Sequence, residues 1–430
     1  MKISPYPIKE DFIHYLWKTK KIPTALFSTQ NAAMQIIDFG TPNVDAGPDF
    51  FNGKIKIEDA VWAGNIEMHV LSSDWHKHGH STDQAYDNVI LHVVYEDDLG
   101  EDITINGRPI ATLELKGKIP KLYLDTYLTL VQSVTSIPCQ AMIKHVDPSK
   151  IDLWKYTLSI ERLEQKSSLV SEILAYTGQN WEETLYIMIA RYFGSKVNTQ
   201  PFEMTAKSLS LSIILKNQDK RFSIDALIFG QAGMLEANYK DDYYQTLKVE
   251  YTYLRKKYQL KSIDGSIWKF SKLRPMNFPT VRLAQFAGLI SHTSNIFSQI
   301  KAENPVKNIK CIFESEPSSY WQTHYRFGVE SPKSYKKMSE DFIQLIMINA
   351  VSPVLFAYGK LNDEPKYIDK AINILEQLDG EVNVITKAWK SLGVSTKSAF
   401  DTQSLIHLST HYCQEHRCVA CKIGHEIMGK

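Results

Sequence analysis

The sequence predicts an α/β or α+β unit with a small mixed sheet over residues 1–125, followed by a larger all-α domain over residues 126–430. Three observations carry this expectation. Short runs of β-branched and aromatic residues, bounded by Gly, Pro, Asn and Asp, fill the first part. From residue 126 the apolar residues recur at helical spacing. No solenoid-type repeat or low-complexity segment interrupts either pattern.

The elements follow in order. Ile8, Phe12, Tyr15, Leu16 and Trp17 stand at helical spacing, so residues 6–20 read as a first helix. Extended segments are expected at Met34–Phe39, Phe50–Ile57, Val61–Leu71 and Val89–Tyr95. The last alternates: Val89, Leu91, Val93 and Tyr95 face one side, Ile90, His92 and Val94 the other. Ser72–Asn88 is a polar, His-rich connection with room for a short helix. Ile103–Ile105 and Ile110–Leu115 form a hairpin around Asn106-Gly107. Helices are then expected at Trp154–Ala175, Trp181–Phe193, Phe202–Leu215, Ile224–Leu235, Tyr243–Tyr258, Pro279–Ser298, Tyr335–Ala350, Lys366–Gln377 and Val382–Leu392. Asn277 is placed to cap the helix that starts at Pro279.

Hydrophobic content of 43% and charged content of 23% are those of a soluble globular chain. No run of about 18 apolar residues argues for a membrane span, and Met1–Pro7 lacks an apolar signal core. A cytoplasmic protein without membrane contact is the expectation. Charge is uneven: residues 1–125 hold 12 Lys+Arg against 18 Asp+Glu, and the remainder 37 against 30. An acidic first part suits cation binding, and a mildly basic second part tolerates a polyanion such as nucleic acid.

The segment Asn65-Ile66-Glu67-Met68-His69-Val70 carries the chemistry. In a strand Ile66, Met68 and Val70 point into a core, and Asn65, Glu67 and His69 share the other face. Asp49, in Gly47-Pro48-Asp49-Phe50, stands on the neighbouring segment. Two acids and a histidine can hold a divalent ion, which lowers the pKa of bound water for attack on a phosphodiester. The bland alternative is a turn acid plus a solvated Glu and His on a half-exposed strand.

Other clusters follow. His76, His78 and His80, flanked by Asp74 and Asp83, would share a face if extended and suit Zn²⁺. Otherwise His78, His80 and His92 line the Glu67 pocket and contact substrate. Cys413, Cys418 and Cys421 have the spacing of an iron–sulfur ligand run, with Cys139 the preferred fourth ligand. Cys311 is the other thiol, and His416 or His425 would complete a Cys₃His zinc site. Arg274 and Arg282, with Lys269 and Lys272, surround the Pro279 helix start, a place for substrate phosphate. Gly230-Gln231-Ala232-Gly233 lacks the Lys-Ser/Thr of a phosphate loop, and no Gly-x-Ser-x-Gly nucleophile element is present.

Several stretches resemble the bacterial family called domain of unknown function 2851: Gly40–Phe50, Trp62–His69, Ser73-Asp74-Trp75 with His78-Gly79-His80, Tyr86–Val94, Phe229–Gly233, Leu273–Pro279 and the terminal cysteines. The resemblance spans nearly the whole chain and implies no activity. Pro48-Asp49 with Glu67-Met68-His69 also resembles the Pro-Asp…(Asp/Glu)-x-Lys core of restriction-type nucleases. That likeness implies a restriction-endonuclease-like sheet and a Mg²⁺ or Mn²⁺ site of Asp49, Glu67 and the Met68 carbonyl. Glu10 would match the helix glutamate of those enzymes. His69 stands in the lysine position, where a neutral imidazole serves as general base near pH 7. A remote Cys joined to three C-terminal ones is similar to the iron–sulfur staple of some nucleases. The leading expectation is a metal-dependent nuclease acting on DNA or RNA. A non-catalytic nucleic-acid or protein adaptor on the same fold is the second, and a zinc hydrolase using His76, His78 and His80 the third.

Overall fold

The computed structural model describes residues 7–101 and 103–429. Met1–Tyr6, including the expected start of the first helix, lie outside the described residues. The chain divides into two compact units. The first comprises residues 1–155, 388–394 and 405–430, and the second 156–387 and 395–404. The division therefore differs from a cut at residue 125. The C-terminal cysteine segment belongs with the sheet and not with the helices.

In the first unit α1 (Glu10–Lys18) buries Phe12, Ile13, Tyr15, Leu16 and Trp17 on one side. Its first turn carries Glu10 and Asp11 and its last turn Lys18, which matches the helix dipole. The strands are β1 (Ala25–Phe27), β2 (Ala33–Asp38), β3 (Thr41–Pro42), β4 (Phe50–Ile57), β5 (Ala60–Leu71), then β6 (Val89–Glu96), β7 (Ile103–Ile105) and β8 (Arg108–Glu114). They form one mixed sheet in the order β1-β2-β4-β5-β6-β8-β7, with β3 paired to β4. β2, β4 and β5 run antiparallel, whereas β5–β6 and β6–β8 are parallel.

A parallel neighbour on each side accounts for one departure from expectation. Val89–Val94 are buried on both faces of β6, as central parallel strands are. His92 thus lies in the interior. β1 and β3, too short to show a period, were not anticipated. The Ser72–Asn88 connection contains α2 (Asp74–Lys77) and two 3₁₀ turns, and it crosses from β5 to the parallel β6. After β8 come α3 (Lys121–Val131) and α4 (Pro148–Tyr176), and the boundary between the units falls inside α4.

The second unit is helical around a single apolar core. Trp181–Phe193 forms as expected, whereas Phe202–Leu215 breaks into Thr199–Ser208 and Leu211–Leu215. Pro279–Ser298 likewise ends at His292 and resumes at Ile296. Asn277 does not cap that helix: Phe278 is the cap residue and Asn277 accepts instead from Arg282 Nη2 (2.7 Å). A hairpin at His324–Arg326 and Val329–Glu330 was not foreseen. Residues Glu340–Leu361 make one helix with a π turn. By length and composition it is apolar enough to cross a membrane, and 78% of its apolar 18-residue window is buried in the protein.

Candidate metal centre

Two bulges aim the site. Opposite Asn65, β4 carries the extra residue pair Phe51 and Asn52, with Asn52 at φ +59°. On the other side the β5–β6 register shifts between Asn65 and Ile66. Bulges re-aim the side chains that follow, and here Glu67 follows at once.

Asp49 is delivered by a loop that Asn43 holds closed. The Asn43 side-chain amide donates to the carbonyls of Asp45 (3.0 Å), Ala46 (3.3 Å) and Pro48 (3.1 Å). The Asn43 backbone amide donates to the Asp49 carbonyl at 2.8 Å. Asp49 and Glu67 then lock reciprocally. The Asp49 amide donates to Glu67 Oε2 (3.2 Å), and the Met68 amide donates to Asp49 Oδ2 (2.9 Å).

Glu67 and His69 do share a face of β5, but it is not a solvated one: they are 5% and 1% exposed. The α2 connection roofs them. Trp75 is fully buried beneath it and packs edge-on against His80 and His92. Gly79, at φ +78°, turns the chain between His78 and His80 where a side chain would be strained. The His-x-His-x-His run is therefore not extended. His76 is exposed and its Nδ1 lies 3.5 Å from Ser81 Oγ, while His78 and His80 converge on His69. Asp74 and Asp83 accept local backbone bonds from Leu71 and Ala85.

The ring nitrogens of His69, His78 and His80 lie within 4.8 Å of one another. His69 Nε2 is 3.0 Å from His78 Nδ1 and 3.6 Å from Glu67 Oε1, and His80 Nε2 is 3.3 Å from Glu67 Oε1. Tyr86 stacks on His80 at 3.8 Å. Behind them, His92 Nε2 lies 2.8 Å from His69 Nδ1. Two buried ring atoms, His80 Nε2 and His92 Nδ1, have no hydrogen-bond partner among the described residues.

Burial and the neighbouring Asp49 push the Glu67 carboxyl up to about 9. Burial, then His92, His78 and His80, push His69 down to about 2. Burial, then His80 and His76, push His92 down to about 3. The pocket thus holds His69 and His92 as neutral imidazoles beside a carboxyl that resists holding a bare charge.

On the α1 side, His14 Nε2 lies 3.2 Å from Asp49 Oδ2. Burial lowers the His14 pKa, but Asp49, Glu10 and Asp11 outweigh it and the net shift is upward. Glu10 is raised by burial and by Asp49. The structure therefore brings Glu10 to the site, and it adds His14, which the sequence reading missed. The signal was present: His14 follows Glu10 by four residues, which places both on one helix face.

Arg274 and Arg282 belong to the second unit. Arg274 is exposed. The Arg282 guanidinium is spent inside the protein, donating to Gln285 Oε1 (2.8 Å) and Asn277 Oδ1 and stacking 3.5 Å over Phe342.

The sheet and its pocket define a mixed α/β unit with a buried carboxylate–imidazole cluster. The chain belongs to the family described as Protein of unknown function (DUF2851), which matches residues 10–384. The match contains every residue of this pocket and ends before Cys413. No curated protein and no solved structure matches the chain.

Proposed function

We propose that the pocket binds one divalent transition-metal ion and hydrolyses phosphodiesters, with DNA or RNA as the substrate class. The observation that carries the metal is dimensional. A tetrahedral ion with nitrogen and oxygen ligands at about 2.0–2.1 Å has ligand–ligand edges of about 3.3 Å. Three of the six spacings among His69 Nε2, His78 Nδ1, His80 Nε2 and Glu67 Oε1 are 3.0, 3.3 and 3.6 Å, and nitrogens of the three imidazoles lie within 4.8 Å of one another. Three imidazoles and one carboxylate suit Zn²⁺ or Mn²⁺ better than Mg²⁺.

This reading moves His69 from general base to ligand. Its two ring nitrogens face His92 and His78, which leaves neither free to take a proton from water. The half-exposed His14, beside Asp49, is the better base. Glu10 and Asp49 hold it on the open side of the pocket. The bound ion supplies a lowered water pKa and neutralises charge on the phosphoryl oxygens.

Support for phosphodiesters comes from the chain order. A helix carrying Glu10 precedes an antiparallel meander in which Asp49 leads into β4 and Glu67 lies on the adjacent β5, and a crossover leads to a strand parallel to β5. In an extended strand a residue's N–H and C=O face the same neighbour. The Met68 carbonyl therefore faces the Asp49 side, as the nuclease-like arrangement requires.

The test is hydrolysis of bis(p-nitrophenyl) phosphate, single-stranded DNA and RNA by the full chain loaded with Zn²⁺ or Mn²⁺. Glu67→Gln should lower the rate by about 10²-fold or more with the fold intact by circular dichroism. Full activity in a folded Glu67→Gln variant sinks the assignment. Tight metal binding with no hydrolysis of any of the three replaces it with the adaptor reading.

A further inference from the structure

Cys413, Cys418 and Cys421 lie beyond the residues matched by the family, and with Cys139 they converge outside the pocket just described. Cys139, Cys413, Cys418 and Cys421 line one apolar void within the first unit, walled by Leu130, Trp389 and Leu408. Each is 7–8% exposed. None forms a disulfide. Neither Cys311, His416 nor His425 lines the void. Cys311 is exposed in the second unit, and His425 turns its ring edge to Tyr15 at 4.8 Å.

The backbone is shaped to bring the four thiols in. Cys139 opens a turn whose carbonyl accepts from Met142 (2.9 Å) and Ile143 (3.0 Å). A π turn over Ser409–Cys413 presents Cys413. Gly424 passes so close to the Cys418 carbonyl that a Cβ would sit 2.0 Å from its oxygen. One thiol from residue 139 and three from the C-terminal segment thus surround one void.

We propose that these four cysteines ligate an iron–sulfur cluster. A single tetrahedral zinc ion with sulfurs at about 2.3 Å holds them about 3.8 Å apart. The three imidazole nitrogens of the sheet pocket do meet within 4.8 Å, whereas among the described residues no three cysteine sulfurs do. A cluster separates its cysteines further than one ion does, because iron and sulfide lie between them. Cys413-x₄-Cys418-x₂-Cys421 is also a spacing found in iron–sulfur proteins.

The cluster ties the C-terminal segment to α1. The helix Lys422–Met428, entered directly from Cys421, carries His425 onto Tyr15. On α1, Phe12 stacks on Tyr127 of α3 at 3.9 Å.

The experiment is iron, acid-labile sulfide and zinc analysis with a visible spectrum on the anaerobically purified full chain. Wild type should be brown with equimolar iron and sulfide. Cys139→Ser and Cys418→Ser should lose both, and Cys311→Ser should keep both. Zinc at one equivalent with no iron overturns the cluster, and so does a colourless, metal-free wild type. The wild-type result decides the matter even if the serine variants fail to fold. Glu67→Gln should retain full iron and sulfide, which separates this proposal from the fate of the sheet pocket.

Discussion

The amide of Asp49 donates to Glu67 Oε2 at 3.2 Å while the Asp49 carboxylate accepts from the next residue along β5, Met68, at 2.9 Å. Each acid is thereby oriented by the other's strand before any ligand arrives. Asp49→Ala removes the acceptor of the Met68 amide and should cost about 1–3 kcal/mol, read by urea denaturation in chelator. Asp49→Asn keeps an oxygen acceptor and should cost less than half as much. Equal stability of wild type and Asp49→Ala would refute this account of the loop.

His92 touches no open space, yet it fixes the ring of His69 through the 2.8 Å contact at Nδ1. Partners of this kind orient metal-binding imidazoles and are worth about 10–100-fold in metal affinity. His92→Leu should weaken Zn²⁺ binding by that factor in competition with a chromophoric chelator. His92→Gln, which retains a polar contact, should recover part of the loss. An unchanged affinity in His92→Leu would leave His92 a packing residue alone.

His76 is the control within the histidine run. It is exposed and turned to Ser81, whereas His78 and His80 face His69. His76→Ala should therefore leave metal content and turnover unchanged, and His80→Ala should empty the pocket. If His76→Ala also loses the ion, the ligands are the linear run and the pocket described above is wrong.

Legibility in the sequence followed local physics. The bounds of β4 could be read because Phe50–Ile57 sits between turn residues. The shared face of Glu67 and His69 followed from strand alternation alone. What alternation could not supply was depth. His92 seemed to lie on one face of a two-faced strand, and only the parallel neighbours β5 and β8 bury both faces. The choice among His76, His78 and His80 depended on the positive φ of Gly79, a backbone fact that composition does not reveal. Asn43 was passed over because its role is to close a loop on itself, through three carbonyls within five residues. Arg282 shows a different limit: a basic residue near a helix start also finds internal acceptors, here Gln285 and Asn277, which its sequence position does not reveal.

Lys166, in the second unit, offers a prediction on pH. Its ammonium donates to Asn349 Oδ1 (2.9 Å) and Gln403 Oε1 (2.8 Å). Burial, with Arg162 adding to it and Glu381 opposing, holds its pKa well below the ordinary 10.5. A base depressed in the folded state binds fewer protons there than in the unfolded chain. Its contribution is fully present above 10.5 and is lost as pH falls through the folded value. Wild type should therefore gain stability as pH rises from neutrality toward 10.5, apart from what other groups add. Lys166→Met removes that part of the slope. Replacing a buried charge by an apolar side chain of similar volume is often neutral or stabilising, so the variant should match or exceed wild type at pH 7, by about 1 kcal/mol. Thermal melts of both proteins across this range decide it. A variant markedly less stable at pH 7, with the slope intact, would mean that the two amide acceptors outweigh the cost of the buried ammonium.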